Sequence, residues 1–149
     1  MNTNPSTRIL VVEDDRDVRE LNTNVLSRSG YEVDAAEDGA AAWEALSADS
    51  YDLLITDHHM PRLTGFELLK KLRAARMTLP VILVSGTMPT EELNRHPWLQ
   101  TEATLLKPYI MAELLEAVKA VLCATDVARN RFAPPANWQC HPAAVGLRP

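Results

Sequence analysis

The chain has 149 residues, 46% of them hydrophobic, a size and apolar content that suit one domain with a real core and exclude wholesale disorder. A net charge of −5 offers no basic face for neutralising phosphates, which argues against direct nucleic-acid binding. The acidity belongs to residues 1–124, where 12 basic and 19 acidic side chains give a net of −7, whereas 125–149 carry three Arg and one Asp, a net of +2.

Short apolar runs alternate with amphipathic stretches along the chain. Ile9-Leu10-Val11-Val12 predicts a first strand that ends in Glu13, Asp14 and Asp15. Val18, Leu21, Val25 and Leu26 then recur at helical spacing before Gly30, which predicts a helix from Arg16 to Ser29. Tyr31 to Ala36 reads as a second strand, and Gly39 opens a second helix with Ala42, Trp43, Ala45 and Leu46 as its apolar positions. Leu53 to Thr56 predicts a third strand ending in Asp57; a helix bearing Phe66, Leu69 and Leu72 follows, then a fourth strand, Val81 to Val84, ending in Ser85. Thr90 can cap a fourth helical segment with Glu91 and Glu92 in its first turn, but Pro97 lies too deep for an uninterrupted helix. Leu105-Leu106 runs into Lys107-Pro108, and Leu114, Leu115, Val118, Val121 and Leu122 predict a last helix.

Strands this short and continuously apolar are expected where helices cover both sheet faces. The fold class is therefore α/β, five βα units in a doubly wound parallel sheet, whose ligands bind outside the carboxyl ends of the strands. Two acidic strand ends, a hydroxyl and an amine are expected to converge there. From Thr125 onward the periodicity stops and four of the ten prolines appear, so 8–124 is read as the domain and 125–149 as a Pro-rich tail with no effector domain. The N-terminus is polar and no apolar run approaches the roughly 18 residues of a membrane span. A cytoplasmic protein without membrane insertion is expected, with Cys123 and Cys140, which lack metal-ligand spacing, as free thiols.

Four pieces in order, Ile9 to Asp15, Asp57-His58-His59-Met60-Pro61 with Gly65 following, Val84-Ser85-Gly86 and Lys107-Pro108, resemble the response-regulator receiver domain, the phosphoacceptor half of bacterial two-component systems. The resemblance runs from Arg8 to Leu122 and implies a flavodoxin-like (βα)5 fold with strand order 2-1-3-4-5. It further implies a single-domain regulator that accepts a phosphoryl group on Asp57 and signals through protein contacts, not an enzyme beyond magnesium-dependent self-phosphorylation and autodephosphorylation. Its implied partners are a sensor histidine kinase or phosphotransfer protein and a downstream protein.

The chemistry agrees with the residue types. A carboxylate attacks a phosphoryl group poorly because both are negative, so the site must supply cations and in-line geometry. Mg2+, a hard ion, favours carboxylate, water and phosphate oxygens. By the resemblance, Asp14, Asp57 and the backbone carbonyl of His59 hold it directly, and Glu13 acts largely through water. Lys107 would pair with one phosphate oxygen and Ser85 would donate to another. Singly, each residue has an ordinary explanation: Asp15 caps the first helix, Asp57 is a turn residue, Ser85 a loop hydroxyl, Lys107 a solvated charge. Jointly, four suitable types at the same ends of four strands favour the site.

The pattern departs from the family at Thr104, three residues before Lys107, where a Tyr or Phe ring is usual. With Pro97, this leaves open the output surface built by the fourth helix, fifth strand and last helix. The alternative is a constitutive interaction module whose phosphorylation is vestigial. A transition-metal site at His58 and His59 is disfavoured because adjacent residues of an extended segment point in different directions. A nucleotide-dependent enzyme would need a Gly-rich loop where Glu13, Asp14 and Asp15 stand.

Overall fold

A computed structural model describes residues 7–60, 63–87, 95 and 101–129. Thr90, Glu91, Glu92 and Pro97, Cys140 and the tail beyond Arg129 lie outside the described residues. Five strands, β1 (Arg8–Val12), β2 (Glu32–Ala36), β3 (Leu53–Asp57), β4 (Val81–Ser85) and β5 (Ala103–Leu106), alternate with α1 (Arg16–Arg28), α2 (Gly39–Ala48) and α3 (Gly65–Ala74) and are followed by a C-terminal helix, Met111–Arg129. All strand pairs are parallel, in the order β2-β1-β3-β4-β5, as the sequence resemblance implies.

Strand position decides burial. The central strands β3 and β4 are buried throughout and β1 at all but Arg8, while of the edges β2 is mostly exposed and β5 mostly half-buried. Successive side chains point to opposite faces. Leu10, Val12, Leu54, Val81 and Leu83 accordingly pack with Ala42, Leu46, Phe66, Leu69 and Leu72 of α2 and α3. Ile9, Val11, Leu53, Ile55, Ile82 and Val84 meet Leu26 of α1 and Leu114, Val118 and Val121 of the C-terminal helix.

Local chemistry sets the helix ends. The Asp15 carboxylate accepts from the backbone N–H groups of Asp17 and Val18, the capping role read from sequence, and Thr64 forms a reciprocal capping box with Glu67 at the start of α3. Gly30, at φ 101°, turns the chain out of α1 in a conformation that side chains disfavour.

The structure corrects two expectations. On α1, Leu21 is 49% exposed whereas Asn22 is 2% exposed. Position 22 lies one turn before Leu26 and so falls on the buried line whatever residue occupies it. Cys123, in the C-terminal helix, is disulfide-bonded and not a free thiol. That helix also continues to Arg129, past the end of the apolar periodicity. Among the described residues, no helix is long and apolar enough to cross a membrane.

Candidate functional site

The strands end together at one edge of the sheet, and the loops that leave them carry the site. β1 passes directly into Glu13, whose backbone N–H donates to Ala36 O at 3.1 Å, and Asp15 N–H donates to the Glu13 carboxylate at 3.2 Å. From α1, Arg19 Nη1 donates to the Glu13 carbonyl at 2.8 Å, which fixes the acidic loop against the helix. Asp57 closes β3, and the next residue, His58, donates its N–H to Val84 O at 2.8 Å.

Gly65 N–H donates to His58 O at 2.9 Å, which folds the following loop back over the strand end. A Cβ on Gly65 would stand 2.8 Å from Asp57 O and 2.9 Å from His58 Cα, so the close approach needs glycine. The ring of His58 packs edge-on against Phe66 of α3, with centroids 4.6 Å apart.

Ser85 ends β4 fully buried, and its Oγ accepts the Thr87 N–H at 3.3 Å. Its carbonyl accepts from Lys107 N–H at 2.9 Å, which brings the end of β5 alongside. Lys107 Nζ then reaches across to Asp57 Oδ1 at 3.1 Å and Glu13 Oε1 at 3.8 Å. The peptide bond from Lys107 to Pro108 is cis.

One amine faces two carboxylates, with a third beside them. Oxygens of Glu13, Asp14 and Asp57 all lie within 4.8 Å of one another, with Glu13 and Asp57 each 3% exposed and Asp14 open to solvent. Burial first, and then the Asp57 charge, push the Glu13 carboxyl up to about 7, against the pull of the Asp15 N–H and Lys107. Burial likewise raises Asp57; Lys107 opposes this and Asp14 adds to it. Burial alone would lower the Lys107 ammonium, but Asp57 and Glu13 outweigh it and the net shift is upward. The buried Asp57 Oδ1 meets Lys107 Nζ at 3.1 Å and, among the described residues, accepts no further hydrogen bond.

These features fit a hard divalent cation. It prefers oxygen ligands and would offset the negative charge that one Lys107 leaves in excess.

Residues 9–119 match the family profile described as response regulator receiver domain. The chain belongs to that family. Against the response regulator MprA of Mycobacterium ulcerans it is 38% identical over 122 residues, 82% of this chain and 53% of that protein. The receiver thus spans about half the length of the curated relatives it matches. Among solved structures, it resembles a CheY-like receiver domain protein of Methanospirillum hungatei at 27% identity and a TM-score of 0.77, covering 83% of this chain and 99% of that one. It also resembles the response regulator TrrA of Thermotoga maritima, solved in complex with Mg2+ and BeF, at 32% identity and a TM-score of 0.68, covering 77% of this chain and 98% of that one.

The receiver brings together Glu13, Asp14, Asp57 and Lys107, all named from sequence, with the Ser85 backbone bonded to Lys107. Thr104 lies half-buried in β5 opposite Leu83, Gly86 is exposed with open space where a side chain would go, and His59 is an exposed loop residue beside His58. Sequence reasoning missed Arg19, Asn22 and Tyr109. Asn22 Nδ2 donates to the Tyr109 hydroxyl at 2.8 Å, joining α1 to the loop after Lys107. A polar residue on the buried line of α1 was the one available signal for Asn22; nothing local marks the other two.

Proposed function

We propose that this receiver domain accepts a phosphoryl group on Asp57, from the phosphohistidine of a sensor histidine kinase or phosphotransfer protein, and thereby changes its affinity for a downstream protein. The observation that carries the reading is the buried Asp57, paired to Lys107 and flanked by two further carboxylates. An Asp57 oxygen forms the new P–O bond as the P–N bond to the donor imidazole breaks and the nitrogen keeps the electron pair.

Asp14, Asp57 and the His59 carbonyl would hold Mg2+ with Glu13 behind them, as the bound Mg2+ and BeF of TrrA support. The ion would neutralise charge between nucleophile and phosphoryl group. Lys107 follows the transferred group as a point charge, and the Ser85 hydroxyl turns from the Thr87 N–H to a phosphoryl oxygen. In this reading the protein is a phosphoacceptor that works in the cytoplasm, not a catalyst for a separate substrate. Acetyl phosphate with Mg2+ is expected to add one phosphoryl group to the intact protein, and Asp57→Asn to remove that label; labelling that persists in the variant would sink the assignment.

The missing ring at position 104 supports a second reading, a constitutive interaction module. It requires partner binding to be the same with and without beryllofluoride and Mg2+.

A further inference from the structure

Two residues of α1, three apart and so on one face of the helix, bond to two of the loops that build the site. Arg19 holds the backbone of Glu13, and Asn22 holds Tyr109, two residues beyond Lys107. Lys107 itself, half-buried, leaves an edge strand and stands between an exposed Leu106 and an exposed Pro108.

The Asn22–Tyr109 contact is not what core packing alone would favour. The buried Asn22 Oδ1 has no hydrogen-bond partner among the described residues, an arrangement that is unfavourable where an apolar side chain would leave no acceptor unmet. A local inconsistency of this kind is expected where function sets the requirement.

We propose that Asn22 and Tyr109 are a positioning pair that holds the Lys107 amine in register with the acidic pocket, α1 acting as a bracket between the acidic loop and the amine loop. The inference rests on the phosphoacceptor reading and deepens it. Neither residue touches the phosphoryl group; both act through Lys107.

The test compares wild type, Tyr109→Phe and the combined Asn22→Leu/Tyr109→Phe, which replaces the polar pair by apolar groups of similar shape. The readouts are thermal melting, amide exchange of residues 106–110 in the metal-free protein, and the acetyl phosphate labelling rate at saturating donor. The combined variant should melt at or above the wild type, exchange faster at 106–110 and label about fivefold more slowly, the order of one net hydrogen bond. In a Lys107→Ala background, adding Tyr109→Phe should change the labelling rate no further. Wild-type labelling in the combined variant, slowing in step with a lower melting temperature, or an undiminished effect without Lys107 would each assign the pair to packing and overturn the proposal. A wild type that does not label at all would overturn the phosphoacceptor reading itself, whereas a wild type that labels beside an unaffected variant overturns only the pair.

Discussion

Glu13 concentrates the electrostatic tension of the site. It is buried between Asp57 and Lys107, and its carboxyl is raised from 4.5 to about 7. Between those values the folded protein binds more protons than the unfolded chain, so metal-free stability should fall as pH rises from 4.5 to about 7 and stay low above it. Asp57, also raised, acts in the same direction; Lys107, raised from 10.5, keeps its contribution across this window. Glu13→Gln is therefore expected to stabilise the metal-free protein above that window by on the order of 1 kcal/mol, the scale of an ordinary single substitution. Mg2+ needs the ionised carboxylates, so the stabilisation it gives the wild type should grow with pH over the same interval. Thermal melts against pH, with and without Mg2+, check both; a metal-free wild type that gains stability from 4.5 to about 7 would contradict them. At this scale the acidic residues and Lys107 were legible because strand ends flag them. Arg19, Asn22 and Tyr109 were not, since their roles depend on contacts across distant positions, 87 residues apart for Asn22 and Tyr109.

Two joints between elements position Asp57 and its neighbours. Gly65→Ala would drive a Cβ into the backbone of Asp57 and His58, and is expected to cost about 1–3 kcal/mol and to slow labelling, because the backbone carrying Asp57 must move. Asp15→Ala removes the α1 cap and should cost about 1 kcal/mol while leaving the labelling rate near wild type. Denaturant melts paired with labelling kinetics separate the two; a fully active Gly65→Ala, or an inactive but folded Asp15→Ala, would contradict the assigned roles. The elements were legible wherever periodicity was strong: α3, with Phe66, Leu69 and Leu72 all buried, matches its expected apolar face. On α1 the expected face was slightly turned, because Leu21 looked apolar and Asn22 did not, and the register set by Leu26 outweighed residue type.

Across the whole molecule, strand order creates the site. With β1 between β2 and β3, and β4 beside β3, the ends of β1, β3 and β4 are neighbours, and Lys107 reaches them from β5. Sequence established the carboxylates at the strand ends, but their mutual distances follow only from that order. The fate of Cys123 was not legible, because neither spacing nor compartment determines its disulfide. The most direct test of the central claim is to label the protein with acetyl phosphate and Mg2+, reduce the acyl phosphate with borohydride, and map the modified residue by peptide mass spectrometry. The account predicts homoserine at position 57 alone. Reduction at Asp14 or Glu13, with Asp57 unchanged, would contradict it.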